Sequence, residues 1–155
     1  MSEDFATKPS RKKSALLAIA AGGGIAGTLD LLQACLLFGW KIPLVISAGL
    51  LGRGALHGGV GTYVLGVLLH FFIACSAAAT YYAASRRLHF LIEHPLVCGL
   101  FFGAAVQEVM NLVVLPLSAL QSRGPYKLDD LILGLLVHMV VIGLPISFSV
   151  RRFAN

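Results

Sequence analysis

Charged residues are scarce in this chain. Only 12% of its 155 residues are Asp, Glu, Lys or Arg, whereas 57% are hydrophobic, and the mean hydropathy is +0.85. Soluble domains carry about 25% charged residues, so the chain has too little polar surface for a water-soluble globule or a soluble enzyme domain. Disorder requires low hydrophobicity and high net charge, which excludes it for most of the sequence. A membrane protein of a few spans remains.

The sequence also lacks the motifs of common enzyme and nucleotide-binding classes. It has no P-loop, no dinucleotide glycine fingerprint and no Ser/His/Asp order of a catalytic triad, so no catalytic residue is assigned. A clustered basic face with aromatic partners is missing too, so nucleic acid is not an expected partner. The three cysteines fall at different depths of apolar runs, which argues against disulfides among them.

What the sequence does contain is four long apolar runs. A transmembrane helix needs about 20 apolar residues, because the hydrocarbon core is about 30 Å thick. The runs cover approximately residues 14–40, 63–85, 95–119 and 131–150. We therefore expect an all-α, four-transmembrane-helix bundle over residues 14–153, preceded by a polar cytoplasmic arm at residues 1–13.

The loop between the first two runs is apolar before it becomes rich in glycine. Pro43 suits the first turn of a helix, and Gly52 or Gly54 would end it. The sequence thus predicts a short helix between spans 1 and 2, lying in the membrane interface.

Basic residues predict the orientation, because Lys and Arg collect on the cytoplasmic side of a membrane. The N-terminal arm, the second loop and the C-terminus together hold eight of the 12 Lys and Arg residues, including the pairs at 86–87 and 151–152. Both termini are therefore expected in the cytoplasm. The net charge of +5 is interpreted as this bias together with attraction to anionic lipid.

Two patterns favour a duplicated two-helix hairpin. Residues 65–70 match residues 133–138 at four of six positions, and both segments end in histidine. The first and third runs also share small residues four apart, which predict close helix packing. These predicted packing residues are Gly23, Gly27, Gly99 and Gly103.

Each run carries polar side chains at a similar depth, slightly to the outer side of its middle. This predicted polar layer consists of Asp30, Gln33, His70, Gln107, Glu108, Asn111 and His138. An ionised carboxylate at the bilayer centre costs roughly 2.5–3.5 kcal/mol. We therefore expect both carboxylates, Asp30 and Glu108, to face the interior of the bundle.

Three functions compete for this layer. The leading hypothesis is a small transport or permeation-type protein, which forms a homo-oligomer through its glycine seams and uses the polar layer as its site. The first alternative is a membrane redox protein, with haem b or a divalent metal held by His70 and His138. The second alternative is a structural or assembly partner, in which the layer serves only packing. Nothing in the sequence identifies a soluble ligand.

Four stretches carry a resemblance to known proteins: residues 24–30, 49–53, 81–87 and 110–118. They resemble a group of small four-span bacterial inner-membrane proteins to which no activity is assigned. The resemblance covers roughly residues 20–153 and implies a bacterial inner membrane and the four-span plan. It implies no activity, so no functional residue is carried over from it.

Overall fold

The computed structural model describes residues 11–121 and 127–153, and every element in these ranges is helical. The helices are α1 (Arg11–Phe38), α2 (Ile42–Leu51), α3 (Val60–Ser85), α4 (Phe90–Glu93), α5 (Pro95–Leu117) and α6 (Leu128–Phe153). A short 3-10 turn, Arg53–His57, joins α2 to α3. The helices α1, α3, α5 and α6 are long and apolar enough to cross a membrane, and we call them spans 1 to 4. The prediction of an all-α, four-span membrane protein is confirmed.

The helix boundaries differ slightly from those predicted. Span 1 begins at Arg11, inside the predicted polar arm, and the first ten residues of that arm lie outside the described residues. Span 4 begins at Leu128 and ends at Phe153, so it is longer than the apolar run. The reason is that backbone hydrogen bonds continue through polar residues at a helix end, whereas hydropathy marks only the apolar part.

The short helix α2 ends where glycine allows it to end. Gly52 follows its last residue with a φ of 82°, a left-handed conformation that residues with a side chain rarely adopt. The predicted helix between spans 1 and 2 is therefore confirmed, including its end near Gly52.

The spans pack in an order that differs from their order in the chain. Span 2 packs against span 1, span 1 against span 4, and span 4 against span 3. Spans 2 and 3 approach one another closely at few points, so a groove runs between them. The buried core joins spans 1, 2 and 4 and consists of Ala18, Ala26, Ala78, Tyr81, Ile142, Ile146 and Val150.

The glycines of span 1 hold it close to span 2. A side chain at Gly23 would come within 2.7 Å of the Cα atom of Cys75, and one at Gly27 would come within 3.0 Å of the ring of Phe71. Small residues permit such close approach of two helices in a membrane. The predicted packing role of both glycines is thus seen within one chain.

The glycines of span 3 contact span 4 in the same way. A side chain at Gly99 would meet the backbone of Gly143, and one at Gly103 would come within 2.6 Å of the Cα atom of Met139. Each seam is filled by the next span of the same chain. The four glycines thus pack within one chain, and the expected association of copies stays a prediction.

The two seams share one register. Gly143 lies 68 positions after Cys75, and Met139 lies 68 positions after Phe71. The same offset of 68 separates His70 from His138. Equivalent glycines thus contact equivalent positions of the following span, which supports the duplicated hairpin.

Two turns of π-helical geometry interrupt the spans, Met110–Val114 in span 3 and His138–Gly143 in span 4. Each turn ends two residues before a proline, Pro116 or Pro145. Proline lacks an N–H group, and its ring crowds the carbonyl four residues earlier, so the wider turn accommodates it. Two members of the predicted polar layer, Asn111 and His138, lie in these turns.

The seam between spans 3 and 4 can be tested by Gly103→Ala. The added methyl group would meet the His138 carbonyl oxygen and the Cα atom of Met139. We expect it to lower the free energy of unfolding by about 1–3 kcal/mol, as overpacking does, measured by denaturation in detergent. Gly24→Ala is the matched control, because nothing lies within 4 Å of its added methyl group. Equal stability of the two variants would contradict the seam.

Candidate functional site

A cavity of about 640 Å³ lies among the spans and beneath α2. Polar side chains from all four spans line it: Asp30 of span 1, His70 of span 2, Gln107 and Asn111 of span 3, and His138 of span 4. Apolar side chains form most of the remaining wall. The structure thus brings together five residues of the predicted polar layer.

Two residues of the predicted layer lie elsewhere. Gln33 is half-buried and does not line the cavity, and Glu108 is exposed on the outside of span 3. Successive residues of an α-helix point about 100° apart, and the neighbouring Gln107 occupies the inward position with only 8% of its surface exposed. The expectation that both carboxylates face the interior is therefore wrong for Glu108, whereas Asp30 lines the cavity.

Asp30 and His70 lie next to one another in the cavity wall. The His70 Nε2 atom lies 2.8 Å from the Gly27 carbonyl oxygen and 3.9 Å from Asp30 Oδ2. In the neutral ring the Nε2–H group would donate to the carbonyl, which leaves Nδ1 as an acceptor. The two side chains are 13% and 15% exposed. A proton gained by His70 would turn this contact into an ion pair.

His138 is held by its own helix. Its Nδ1 atom lies 2.9 Å from the Gly134 carbonyl oxygen, four residues earlier, so Nε2 is the ring nitrogen left over. The Gln107 amide nitrogen lies where a side chain at Gly134 would be. The two histidines follow glycine at the same spacing but bond differently. His70 bonds to a carbonyl oxygen of span 1, whereas His138 bonds to one of its own span.

The helix α2 covers one end of the cavity. The Ser47 hydroxyl donates to the Thr62 carbonyl oxygen over 2.6 Å, and the Ala119 N–H group donates to the Gly49 carbonyl oxygen over 2.7 Å. These bonds attach α2 to the start of span 2 and to the end of span 3. One face of α2 is buried, at Pro43, Leu44, Ser47 and Ala48. Other residues of α2 line the cavity: Ile42, Val45, Ile46, Gly49 and Leu50. The helix is thus packed on the bundle and forms a lid over the cavity.

A second cavity of about 610 Å³ lies in the same groove, nearer to α4. Its wall is formed by span 2, α4 and span 3, and it is almost wholly apolar. The two cavities therefore follow one another along the gap between spans 2 and 3.

An aromatic pair bridges this gap between the cavities. The rings of Tyr81 and Phe102 meet edge to face, with centroids 4.9 Å apart, and both line the second cavity. Ala77 and Val106, about one helical turn away, line the first. The Tyr81 hydroxyl donates to the Leu91 carbonyl oxygen over 2.9 Å, which fixes its position.

Sequence reasoning missed this pair. Aromatic residues are ordinary in apolar helices, and no spacing rule links a residue of span 2 to one of span 3. The part of α2 that lines the cavity was missed for a similar reason, since its sequence is apolar on all sides and does not show which surface it covers. Both the aromatic pair and the position of α2 depend on how the spans are arranged in space.

The metal alternative lacks a ligand set. Within residues 11–121 and 127–153, no three His, Cys, Asp or Glu side chains are grouped so that they could hold a metal ion. His70, His138 and Asp30 share a cavity wall without forming such a group. Two histidines are left as candidate axial ligands of a haem.

No protein-family model, curated protein or solved structure matches this chain. Its function is therefore argued from the site itself.

The attachment of α2 can be tested by Ser47→Ala. Loss of the bond to Thr62 should cost about 0.5–1.5 kcal/mol and loosen the lid. We expect the amides of residues 42–51 to exchange hydrogen for deuterium several-fold faster. Ser76→Ala is the control, because the Ser76 hydroxyl bonds only to the Phe72 carbonyl of its own helix. Unchanged exchange in the Ser47 variant would show that this bond does not hold α2.

Proposed function

We propose that this integral membrane protein carries a small cation, the proton included, across the bilayer through the cavity beneath α2. The observation that carries the proposal is the convergence of five polar side chains, one or two from each span, on that single cavity. Intramembrane ionisable residues that face a cavity are typical of ion pathways and proton relays.

The charge of the cavity wall favours a cation. Among the described residues that line it, Asp30 is the one carboxylate and none is Lys or Arg. The imidazoles of His70 and His138 and the amides of Gln107 and Asn111 add hydrogen-bonding groups around it. A cation or a proton would thus exchange water for fixed polar partners, as in other selective pores.

The aromatic pair Tyr81 and Phe102 supplies a gate for the proposed path. The two rings line the apolar cavity near α4, about one helical turn from Ala77 and Val106, which line the polar cavity. Apolar constrictions gate pores by excluding water. Passage from one cavity to the other would require these two rings to part.

The role of Asp30 is tested by Asp30→Asn in liposomes. We expect the wild-type protein to dissipate an imposed proton or sodium gradient, and the variant to do so at least tenfold more slowly, because the cavity has lost its carboxylate. Entrapped pyranine reports the proton, and a sodium-sensitive dye reports sodium.

Asp129→Asn is the matched control for that experiment. Asp129 is an exposed carboxylate in the first turn of span 4, outside the cavity, and its removal should leave the flux unchanged. If the wild-type protein moves neither ion, or if both variants behave alike, the proposal fails.

The gate is tested by Phe102→Ala. Removal of the ring should join the two cavities and raise the passive leak of the same ions about tenfold. Phe72→Ala is the control, since Phe72 is 70% exposed on the outside of span 2 and lines neither cavity. A leak that stays at the wild-type level would exclude a gating role for Phe102.

A second candidate function is a haem-binding redox protein, favoured by the presence of His70 and His138 in one cavity. The His138 ring bonds to a backbone carbonyl through Nδ1 and keeps Nε2 as a ligand atom, whereas the His70 Nε2 would have to leave the Gly27 carbonyl before it could bind iron. Such bonds commonly orient histidine ligands. An absorption spectrum of the purified protein decides this, because bound haem gives a strong Soret band and its absence excludes the function.

A further inference from the structure

Glu108 lies at a depth where a carboxyl group exposed to lipid is energetically unfavourable. It lies two residues beyond Val106, the middle residue of span 3, and its side chain is exposed on the outside of the bundle. That offset places it about 3 Å from the middle of the span. The nearest headgroups of a bilayer with a hydrocarbon core of about 30 Å are then about 12 Å away, too far for a glutamate side chain to reach. A single chain would therefore present this carboxyl group to lipid.

The described part of the chain offers Glu108 no polar partner. Among residues 11–121 and 127–153, no hydrogen bond or ion pair joins it to another group. Exposed hydroxyl groups on other spans are satisfied within their own helices: Thr28 donates to Gly24, and Ser76 donates to Phe72. The other exposed charged side chains of the described spans, such as Asp129, lie near the ends of their helices, whereas Glu108 lies near the middle of its span.

The exposed residues around Glu108 have the spacing of a helix-packing seam. Phe101, Ala105, Glu108 and Leu112 follow one another at intervals of four, three and four residues, which is the repeat that keeps one face of a helix against a partner. Phe101 is 73% exposed and Leu112 is 69% exposed. We name these four residues the span 3 seam.

We infer that two copies of this chain associate through their span 3 seams, with the two Glu108 carboxyl groups hydrogen-bonded to each other at the centre. A two-fold axis places the same residue opposite itself. A neutral carboxyl group is both donor and acceptor, so two of them satisfy one another in that arrangement. The inference does not require the proposed transport function, although Phe101 of the seam also lines the second cavity.

A second copy is favoured over lipid as the occupant. Lipid tails have no donor or acceptor for the carboxyl group. The glycine seams cannot serve as the interface, because spans 2 and 4 of the same chain already fill them. Glu108 is left as the polar group that drives association, and a second Glu108 is complementary to it.

The oligomeric state of the purified full-length protein tests this inference. We expect two photobleaching steps per particle for the labelled wild-type protein in dilute liposomes. Glu108→Leu should weaken association at least tenfold. Glu108→Gln should keep most of it, because an amide is also both donor and acceptor. Thr28→Val is the control at similar depth and should remain dimeric.

Cysteine cross-linking locates the interface. In a variant with Cys35, Cys75 and Cys98 replaced by serine or alanine, Leu112→Cys should form a disulfide between copies on mild oxidation. Leu68→Cys, on span 2 and 62% exposed, should not. Thermal unfolding of each variant verifies that it remains folded. If Leu112→Cys does not fold, Ala105→Cys replaces it for cross-linking. If Glu108→Leu does not fold, Glu108→Met replaces it in the association experiment.

Three results would overturn the inference. The first is a wild-type protein that is monomeric at every protein-to-lipid ratio. This result would also be obtained if Glu108 bound a different protein. The second is a folded Glu108→Leu or Glu108→Met variant that dimerises as strongly as the wild type. The third is cross-linking through residue 68 that is as fast as cross-linking through residue 112.

Discussion

Inside a bilayer a polar group has no water to bind, so its position depends on the partners that the protein supplies. The described interior of this chain follows that constraint closely. His70 bonds to the Gly27 carbonyl and His138 to the Gly134 carbonyl. Buried side-chain polar atoms in the described residues all have partners. Polar side chains from all four spans line the same cavity, and for this reason the cavity is a candidate pathway.

Close packing of the helices allows polar side chains of different spans to come together. Glycine at positions 27 and 103 lets the backbones of neighbouring spans approach, and the carbonyl oxygen of Gly27 becomes reachable for the His70 ring. Packing of this kind joins spans 1 and 2, spans 3 and 4, and then spans 1 and 4. Spans 2 and 3 are left further apart, and both cavities lie between them. The site is thus a consequence of which pairs of spans the small residues hold together.

Sequence reasoning could predict features that depend on one helix at a time. The four spans, the short helix before Gly52 and the packing glycines follow from hydropathy and spacing alone. The depth of Asp30, His70, Asn111 and His138 also predicted that they could share a cavity. The outward position of Glu108 was missed, because only the rotation of span 3 decides which of two adjacent polar residues, Gln107 or Glu108, faces inward. The pair of Tyr81 and Phe102 was missed because it depends on the arrangement of two spans that are not adjacent in the chain.

The matching register of the two glycine seams also bears on how the protein is made. Each seam joins two consecutive spans, so its contacts are local in sequence and can form without the rest of the chain. Spans 1 and 2 could pair while the ribosome is still synthesising span 3, since chains fold progressively from the N-terminus. Spans 3 and 4 would then form a second unit of the same design. The contact between spans 1 and 4 would come last, and the polar cavity would exist only once both units have met.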